Sequence, residues 1–252
     1  PLFISFEGLD CSRKTTQIRL LESYLESVGR KVAINREPQG STELSSRITD
    51  IIRDNSLDIL PQSELYLFLA ARHENLRRFV FPKMEEGYDI LCDRFNLSTV
   101  CYQAYGGGLP QGDVLLDCYK CTSGIEPSTV VYIDIPVEEA LRRMEKEGSQ
   151  DRIESLGSSF FKRVKIGFDT MLRKSSNYIK VDGLSSPDNV HNQIVSALEE
   201  KLKIENTVIV PIDPKSCGNH RMINPEIKFW ETGEYKGLVA LMPIIRVSGW
   251  YL

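Results

Sequence analysis

The sequence contains no apolar run that approaches the about 20 residues a membrane-spanning helix requires. Its beginning lacks the charged segment, apolar stretch and cleavage site of a secretory signal. It also lacks an excess of positive charge, since the net charge is −4 and the isoelectric point is about 5.6. We therefore expect a cytoplasmic protein that binds neither membranes nor nucleic acid, although a few arginines in a cleft would suffice to bind phosphates.

Cysteine is scattered along the chain rather than grouped, with six residues in all. Cys118 and Cys121 form a C-x-x-C, but no second pair follows at the spacing of a zinc site. Cys217 and His220 form a C-x-x-H that has no companion pair either. We expect reduced thiols rather than disulfides or metal ligands.

What the sequence does contain is the composition of an ordinary globular protein, with 41% hydrophobic and 26% charged residues. Short apolar runs alternate with segments that have apolar residues at helical spacing, which predicts a parallel sheet covered by helices on both faces. The predicted strands are 2–6, 31–34, 88–92, 129–135 and 178–181, and the predicted helices are 16–28, 42–53, 63–86, 137–146, 158–174 and 187–202.

The pattern changes after residue 205. From Asn206 onward, short apolar runs are separated by prolines, which predicts short strands and turns with little helix. We therefore expect a main domain over residues 1–205 and a small β-rich extension over 206–252. This extension is rich in aromatic residues, so we expect it to dock on the main domain or on a partner subunit.

The first loop carries the main signal for function. Residues 8–15, GLDCSRKT, follow an apolar strand and precede a helix, which is the context of the phosphate-binding motif G-x-x-x-x-G-K-[ST]. Gly8, Lys14 and Thr15 occupy their motif positions, whereas Arg13 replaces the second glycine. In this motif backbone N–H groups surround phosphates, the lysine neutralises their charge and the hydroxyl holds Mg²⁺.

Five blocks in order resemble the thymidylate kinase family. The loop is flanked by FEGLD and KTTQ, and it is followed by REPQGST at residues 36–42 and LFLAAR at 67–72. The block CDRFNLST at 92–99 continues into Tyr102, Gln103 and a glycine run, and DRIE at 151–154 resembles the lid of bacterial members. The resemblance covers roughly residues 2–202.

This resemblance implies an α/β P-loop nucleoside-monophosphate-kinase fold and a homodimer that transfers the γ-phosphate of ATP to dTMP with Mg²⁺. It implies that Phe68 stacks on thymine, that Arg72 and Thr99 reach the base, and that Tyr102 disfavours a 2′-hydroxyl. The implied ATP-phosphate ligands are Gly8, Cys11, Ser12, Arg13, Lys14, Thr15 and Thr16. The implied dTMP ligands are Asp10, Arg36, Phe68, Arg72, Arg94, Thr99, Tyr102 and Gln103. Lys14, Arg94, Arg152 and Asp10 are expected to be catalytic, and Thr15 and Asp93 are expected to hold Mg²⁺ through phosphates and water.

Two departures from the family pattern leave alternatives open. Arg13 stands in the loop where a glycine is usual, and residues 144–147 before the lid are net acidic, where bacterial-type members carry arginine or lysine. Arg152 is the main retained lid cation, and Arg142, Arg143 and Lys146 have an equally plausible role on a solvated helix face. A working kinase with Arg13 as the replacement charge, a nucleotide-binding module with little activity, and a kinase for another pyrimidine deoxynucleotide are the three hypotheses.

Overall fold

The computed structural model describes residues 1–148 and 151–205. A sheet of five parallel strands has the order β2-β3-β1-β4-β5. The strands are β1 (Phe3–Glu7), β2 (Val32–Arg36), β3 (Asp89–Asp93), β4 (Thr129–Asp134) and β5 (Tyr178–Asp182).

Helices cover both faces of this sheet, so the α/β fold predicted from the sequence pattern is confirmed. The helices are α1 (Lys14–Ser27), α2 (Glu43–Arg53), α3 (Pro61–Asn75), α4 (Phe81–Glu85), α5 (Asn96–Thr99), α6 (Gln111–Thr122), α7 (Val137–Glu147), α8 (Gly157–Leu172) and α9 (Pro187–Glu205). No helix within residues 1–148 and 151–205 is long and apolar enough to cross a membrane.

The apolar periodicity of the sequence is satisfied by separate cores on the faces of the sheet. Ile4 and Phe6 of β1 pack with Ile18 of α1 and Ile194 of α9 on one face. On the other face Tyr132 of β4 packs with residues from α3, α6, α7 and α8. All residues of β1 and β3 are buried, as expected for central strands of a parallel sheet.

The strand order determines where a ligand can bind. β1 lies between β3 and β4, so the connections from β1 and from β3 leave to opposite sides of the sheet. In such sheets a crevice forms at the carboxyl ends of the strands where the order reverses. The register places Phe6 and Arg36 each beside Asp93, which brings the loop after β1 next to the ends of β2 and β3.

Helical segments were missed or simplified by the sequence analysis in three places. The segments Asn96–Thr99 and Gln111–Thr122 are helical, although no helix was predicted there. α5 continues into a π-helical segment, Val100–Gly106, and a second π-helical segment, Leu76–Val80, joins α3 to α4 where one continuous helix was predicted. The predicted β-rich extension, 206–252, lies outside the described residues and stays a prediction.

Tertiary packing explains the helix after β3. Its sequence, NLSTVCYQAYG, consists mostly of residues with weak helix propensity, among them Asn96, Ser98, Thr99 and Gly106. The segment packs against α8, and a Cβ on Gly106 would lie 2.6 Å from the Phe160 ring, so a glycine is required for this close approach. Contacts that are distant in sequence therefore outweigh local propensity here.

Candidate active site

The phosphate loop leaves the centre of the sheet at Gly8. The φ angle of Gly8 is 145°, and a Cβ there would lie 2.6 Å from the carbonyl oxygen of Ile133. A side chain is therefore excluded by both the backbone conformation and the available space. The loop passes directly over the end of the neighbouring strand β4.

Arg13 adopts the left-handed conformation that a glycine normally provides at its motif position. Its φ and ψ are 69° and 30°, and it is the N-cap of α1 without making a side-chain cap. The conformation costs about 1–2 kcal/mol for a residue with a side chain. The first turn of α1 contains no acidic residue, so its N–H groups stay free to bind an anion.

Lys14 is buried in the loop. Its Nζ donates to the carbonyl oxygen of Leu9 at 2.9 Å, and it also lies 3.4 Å from both the carbonyl oxygen of Gly8 and the hydroxyl of Ser12. Burial, together with the charge of Arg94, lowers the pKa of Lys14 to about 8. The ammonium group still carries its charge at neutral pH, and a neighbouring phosphate would stabilise that charge.

Asp10, Arg94 and Tyr102 form one hydrogen-bonded group across the loop. Arg94 makes an ion pair with Asp10 and donates to the carbonyl oxygen of Gly8 and to Ser98, each at 3.0 Å. The hydroxyl of Tyr102 donates to Asp10 at 2.6 Å. Burial alone would raise the pKa of Asp10, but Arg94 and Lys14 outweigh it and lower that pKa. The group fixes a guanidinium at the carboxyl end of β3.

Glu7 supports this group from below, which the sequence analysis did not foresee. Its carboxylate accepts hydrogen bonds from the backbone N–H of Phe95 at 2.8 Å and from the hydroxyl of Ser98. Burial raises the pKa of Glu7 to about 7, against the opposing effect of Ser98 and Arg94. A carboxylate at the end of an apolar strand was the sequence signal for this residue.

Arg72 is a buried arginine that lines the same cleft as the phosphate loop. It donates to Glu37 at 2.6 Å, to Asn96 at 2.8 Å and to Thr99 at 2.9 Å, and its guanidinium lies 4.9 Å from the centre of the Phe95 ring. The second carboxylate oxygen of Glu37, Oε1, is buried without a hydrogen-bond partner in the described part of the chain. A buried acceptor without a donor is suited to a ligand hydroxyl or N–H group.

Most of the residues predicted to bind nucleotides surround one cleft of about 360 Å³. Gly8, Ser12 and Arg152 do not line it. The cleft also contains Glu37, Pro38, Ser98, Ile153 and Glu154, to which the sequence analysis gave no role. The predicted residues that line it are Asp10, Cys11, Arg13, Lys14, Thr15, Thr16, Arg36, Phe68, Arg72, Asp93, Arg94, Thr99, Tyr102 and Gln103.

The lid cations have different contacts. Arg152 makes an ion pair with Glu64 and donates to the carbonyl oxygen of Ile52 at 3.0 Å. Arg143 donates to the carbonyl oxygen of Cys11 at 3.0 Å and therefore supports the phosphate loop from α7. Arg142 is exposed and pairs with a glutamate on its own helix, as expected for a solvated helix face.

The fit of a divalent cation depends on Thr15 and Asp93. The Thr15 hydroxyl donates to the Asp93 carboxylate at 2.9 Å, so two hard oxygen donors meet beside the phosphate loop. Oxygen donors and substrate phosphates are what Mg²⁺ prefers. No group of three or more His, Cys, Asp and Glu side chains suited to a metal occurs within residues 1–148 and 151–205, and Cys118 and Cys121 are free thiols.

Comparison with known proteins agrees with this arrangement. A family model described as thymidylate kinase matches residues 6–194. The chain is 39% identical over 204 residues to a thymidylate kinase of Thermosipho africanus, across 80% of this chain and 100% of that protein. It is 37% identical over 195 residues to one of Kosmotoga olearia (77% and 93%) and 36% identical over 209 residues to one of Chlorobaculum parvum (79% and 95%). The chain belongs to the thymidylate kinase family.

Proposed function

We propose that this protein transfers the γ-phosphate of ATP to dTMP and so forms dTDP. One observation carries the proposal: Lys14 of the phosphate loop and the buried Arg72 line the same cleft, and Arg94, which also lines it, donates hydrogen bonds to Gly8 of the loop and to Ser98 beside the Arg72 partner Thr99. A phosphoryl transfer enzyme needs its donor and acceptor sites joined in this way, because positioning and charge neutralisation supply most of the catalysis. Its relatives are named for this activity.

The donor end is formed by the phosphate loop. The free N–H groups at the start of α1 and the ammonium of Lys14 would bind the phosphates of ATP. Thr15 and Asp93 would hold Mg²⁺, which neutralises charge on the phosphates when bound. The support that Arg143 gives to the carbonyl of Cys11 keeps the loop in its binding conformation.

The acceptor end is formed by the ends of β2 and β3. Arg94 is held by Asp10 and Ser98, and the exposed Arg36 lies at the end of the adjacent strand, so both suit the phosphate of dTMP. Phe68 lines the cleft and offers a ring for stacking on the base. The buried N–H groups of the Arg72 guanidinium each need a hydrogen-bond acceptor, either in the protein or in a ligand. The carbonyl oxygens of thymine can serve as such acceptors.

The altered loop is compatible with activity. Arg13 takes the left-handed conformation of the missing glycine, and Lys14, Thr15 and the helix start keep their places. Arg13 lines the cleft and makes no ion pair with the described residues, so its charge is available to a phosphate. No observation favours the alternative of an inactive nucleotide-binding module.

Four further parts of the proposal concern the oligomeric state, the cellular location, the domain boundary and the docking of the C-terminal extension. A homodimer is supported by Tyr66 on α3 and Leu44 and Ile51 on α2, large apolar side chains that are 56%, 50% and 42% exposed. A cytoplasmic location is supported by the free thiols among the described cysteines.

The domain boundary at residue 205 is supported by the family match, which ends at residue 194. Rapid proteolysis near residue 205 into two stable fragments would contradict docking of the 206–252 extension.

A coupled assay of ADP release tests the activity. The protein is supplied with ATP, Mg²⁺ and dTMP, and the rate is compared with that of the Lys14→Ala variant. We expect a dTMP-dependent rate that falls by roughly a hundredfold or more in the variant, because a cation next to the transferring phosphoryl group is lost. Equal rates in the two proteins would contradict the proposal. Parallel assays with dUMP and dCMP decide which pyrimidine is the substrate.

A further inference from the structure

Glu64 connects two parts of the site without lining the cleft itself. It lies in the first turn of α3 and is buried. One carboxylate oxygen, Oε1, accepts a hydrogen bond from the side-chain amide of Gln103, and the other, Oε2, makes an ion pair with Arg152 of the lid. These three residues lie in α3, in the π-helical segment and in the lid, so one carboxylate joins elements that are far apart in the sequence.

The contact with Glu64 determines which atom of the Gln103 amide can face the cleft. A carboxylate paired with an arginine is ionised and can only accept hydrogen bonds. The amide nitrogen of Gln103 must therefore point to Glu64, which leaves the amide oxygen for the cleft that Gln103 lines. An oxygen at this position accepts a hydrogen bond and cannot donate one.

With the Gln103 amide in this orientation, the site distinguishes pyrimidine bases by whether their ring N3 atom carries a hydrogen. Thymine and uracil carry an N3–H donor, which an amide oxygen can accept. Cytosine has an unprotonated N3, which would face that oxygen as a second acceptor. A polar site discriminates strongly when the wrong ligand leaves its buried groups unpaired.

The carboxylate of Glu64 also holds the lid, residues 151–154, over the base pocket. Arg152 is fixed by Glu64 and by the carbonyl oxygen of Ile52. Ile153, the next residue, packs against an apolar cluster that includes Ile52 and is partly formed by Phe68. The lid is therefore attached to the wall on which we place the base.

From these contacts we infer that Glu64 is a positioning residue that sets the base specificity of this enzyme. It orients the Gln103 amide as an acceptor for the N3–H of a pyrimidine, and through Arg152 it fixes the lid against the same pocket. The inference rests on the proposed function, because it assumes that a pyrimidine monophosphate occupies the cleft.

The test compares dTMP with dCMP in wild type and in the Glu64→Gln variant. The substitution keeps the shape of the side chain but removes its charge, so Gln103 is free to turn its amide. We expect the ratio of kcat/KM for dTMP to that for dCMP to fall by roughly tenfold or more, mainly through KM for dTMP. Glu74→Gln is the matched control, since Glu74 lies on the same helix and pairs with the more exposed Arg78.

Two further variants make the result decisive. Glu64→Asp keeps the charge but withdraws it by one methylene, so we expect it to lose discrimination too, and it replaces Glu64→Gln if that protein does not fold. In the Gln103→Ala background, Glu64→Gln should cause no further loss of discrimination, because Glu64 acts on the choice of base through its contact with Gln103, whereas its contact with Arg152 affects both nucleotides alike.

The outcomes separate the two proposals. A wild-type protein that neither binds nor phosphorylates dTMP would contradict the proposed function. An active wild type whose Glu64 variants keep the dTMP-to-dCMP ratio within twofold would overturn the role of Glu64 alone. Equal losses of kcat/KM for both nucleotides would also overturn it, since they would indicate a general structural effect.

Discussion

The hydroxyl of Thr15 donates a hydrogen bond of 2.9 Å to the carboxylate of Asp93, across 78 residues of sequence. Thr15 belongs to the first turn of α1 and Asp93 ends β3, so the bond joins the phosphate loop to the neighbouring strand. It also gathers the two oxygen donors that we assign to Mg²⁺.

We expect Thr15→Val to raise the Mg²⁺ concentration needed for half-maximal rate and to lower kcat by roughly tenfold or more, because a hydroxyl next to the phosphates is lost. Thr15→Ser is the control, since it keeps the hydroxyl. Rates measured over a Mg²⁺ titration provide the comparison. An unchanged Mg²⁺ dependence in the valine variant would remove Thr15 from the metal site.

For Arg13 we expect opposite effects on stability and on rate. Arg13→Gly relieves a left-handed conformation that costs about 1–2 kcal/mol, although the unfolded chain gains entropy, so a net stabilisation of about 0.5–1 kcal/mol follows. The same change removes a cation from the cleft and should lower kcat by roughly tenfold or more. Arg13→Lys keeps the charge and should retain most of the rate. Thermal unfolding and ADP release are the two measurements, and an Arg13→Gly protein with wild-type kcat would show that this charge is not used.

The pair formed by Arg72 and Glu37 is buried, so breaking it should be costly. We expect Arg72→Ala to lower the free energy of unfolding by about 3–5 kcal/mol, because it leaves an uncompensated carboxylate. Adding Glu37→Gln to Arg72→Ala should restore part of this loss by removing the buried charge. Urea denaturation gives the free energies, and calorimetric titration of the folded variant should show weaker dTMP binding. A double variant less stable than Arg72→Ala would contradict this account of the pair.

Glu7 should make stability depend on pH between about 5 and 7. Its pKa is raised to about 7 in the folded protein by burial, so the folded state holds a proton that the unfolded state has released above a pKa of 4.5. The free energy of unfolding must therefore fall by up to about 3 kcal/mol as the pH rises through this window. Above the window it should stay level. Glu7→Gln removes this contribution and should flatten the curve.

The comparison with Glu7→Gln is needed because Glu126 behaves in the same way. Its pKa is also raised to about 7 by burial, and it remains in the variant. Unfolding free energies of both proteins at pH 5, 6, 7 and 8 give two slopes, and their difference belongs to Glu7. Parallel slopes would show that Glu7 is ionised in the folded protein at pH 5.

The sequence by itself determined the alternating strands and helices, the phosphate loop and the identity of most residues that line the cleft. These features are local: an apolar strand, a loop motif and helical spacing are each read within a short segment. Lys14 and Thr15 were identified from the loop motif alone, without knowledge of the residues that they contact. The order of the motif blocks then implied the family, which the comparisons confirmed.

The tertiary structure decided how these residues are held. The sequence analysis assigned no protein partner to Arg72 and no role to Glu37 or Glu64. Their partners are set by the strand order and by the π-helical segment Val100–Gly106, which join positions 35 and 39 residues apart. The conformation of Arg13 was likewise fixed by the loop rather than by residue preference, since local propensity favours glycine there. Side-chain pairing over long range depends on packing, and no short segment of sequence contains that information.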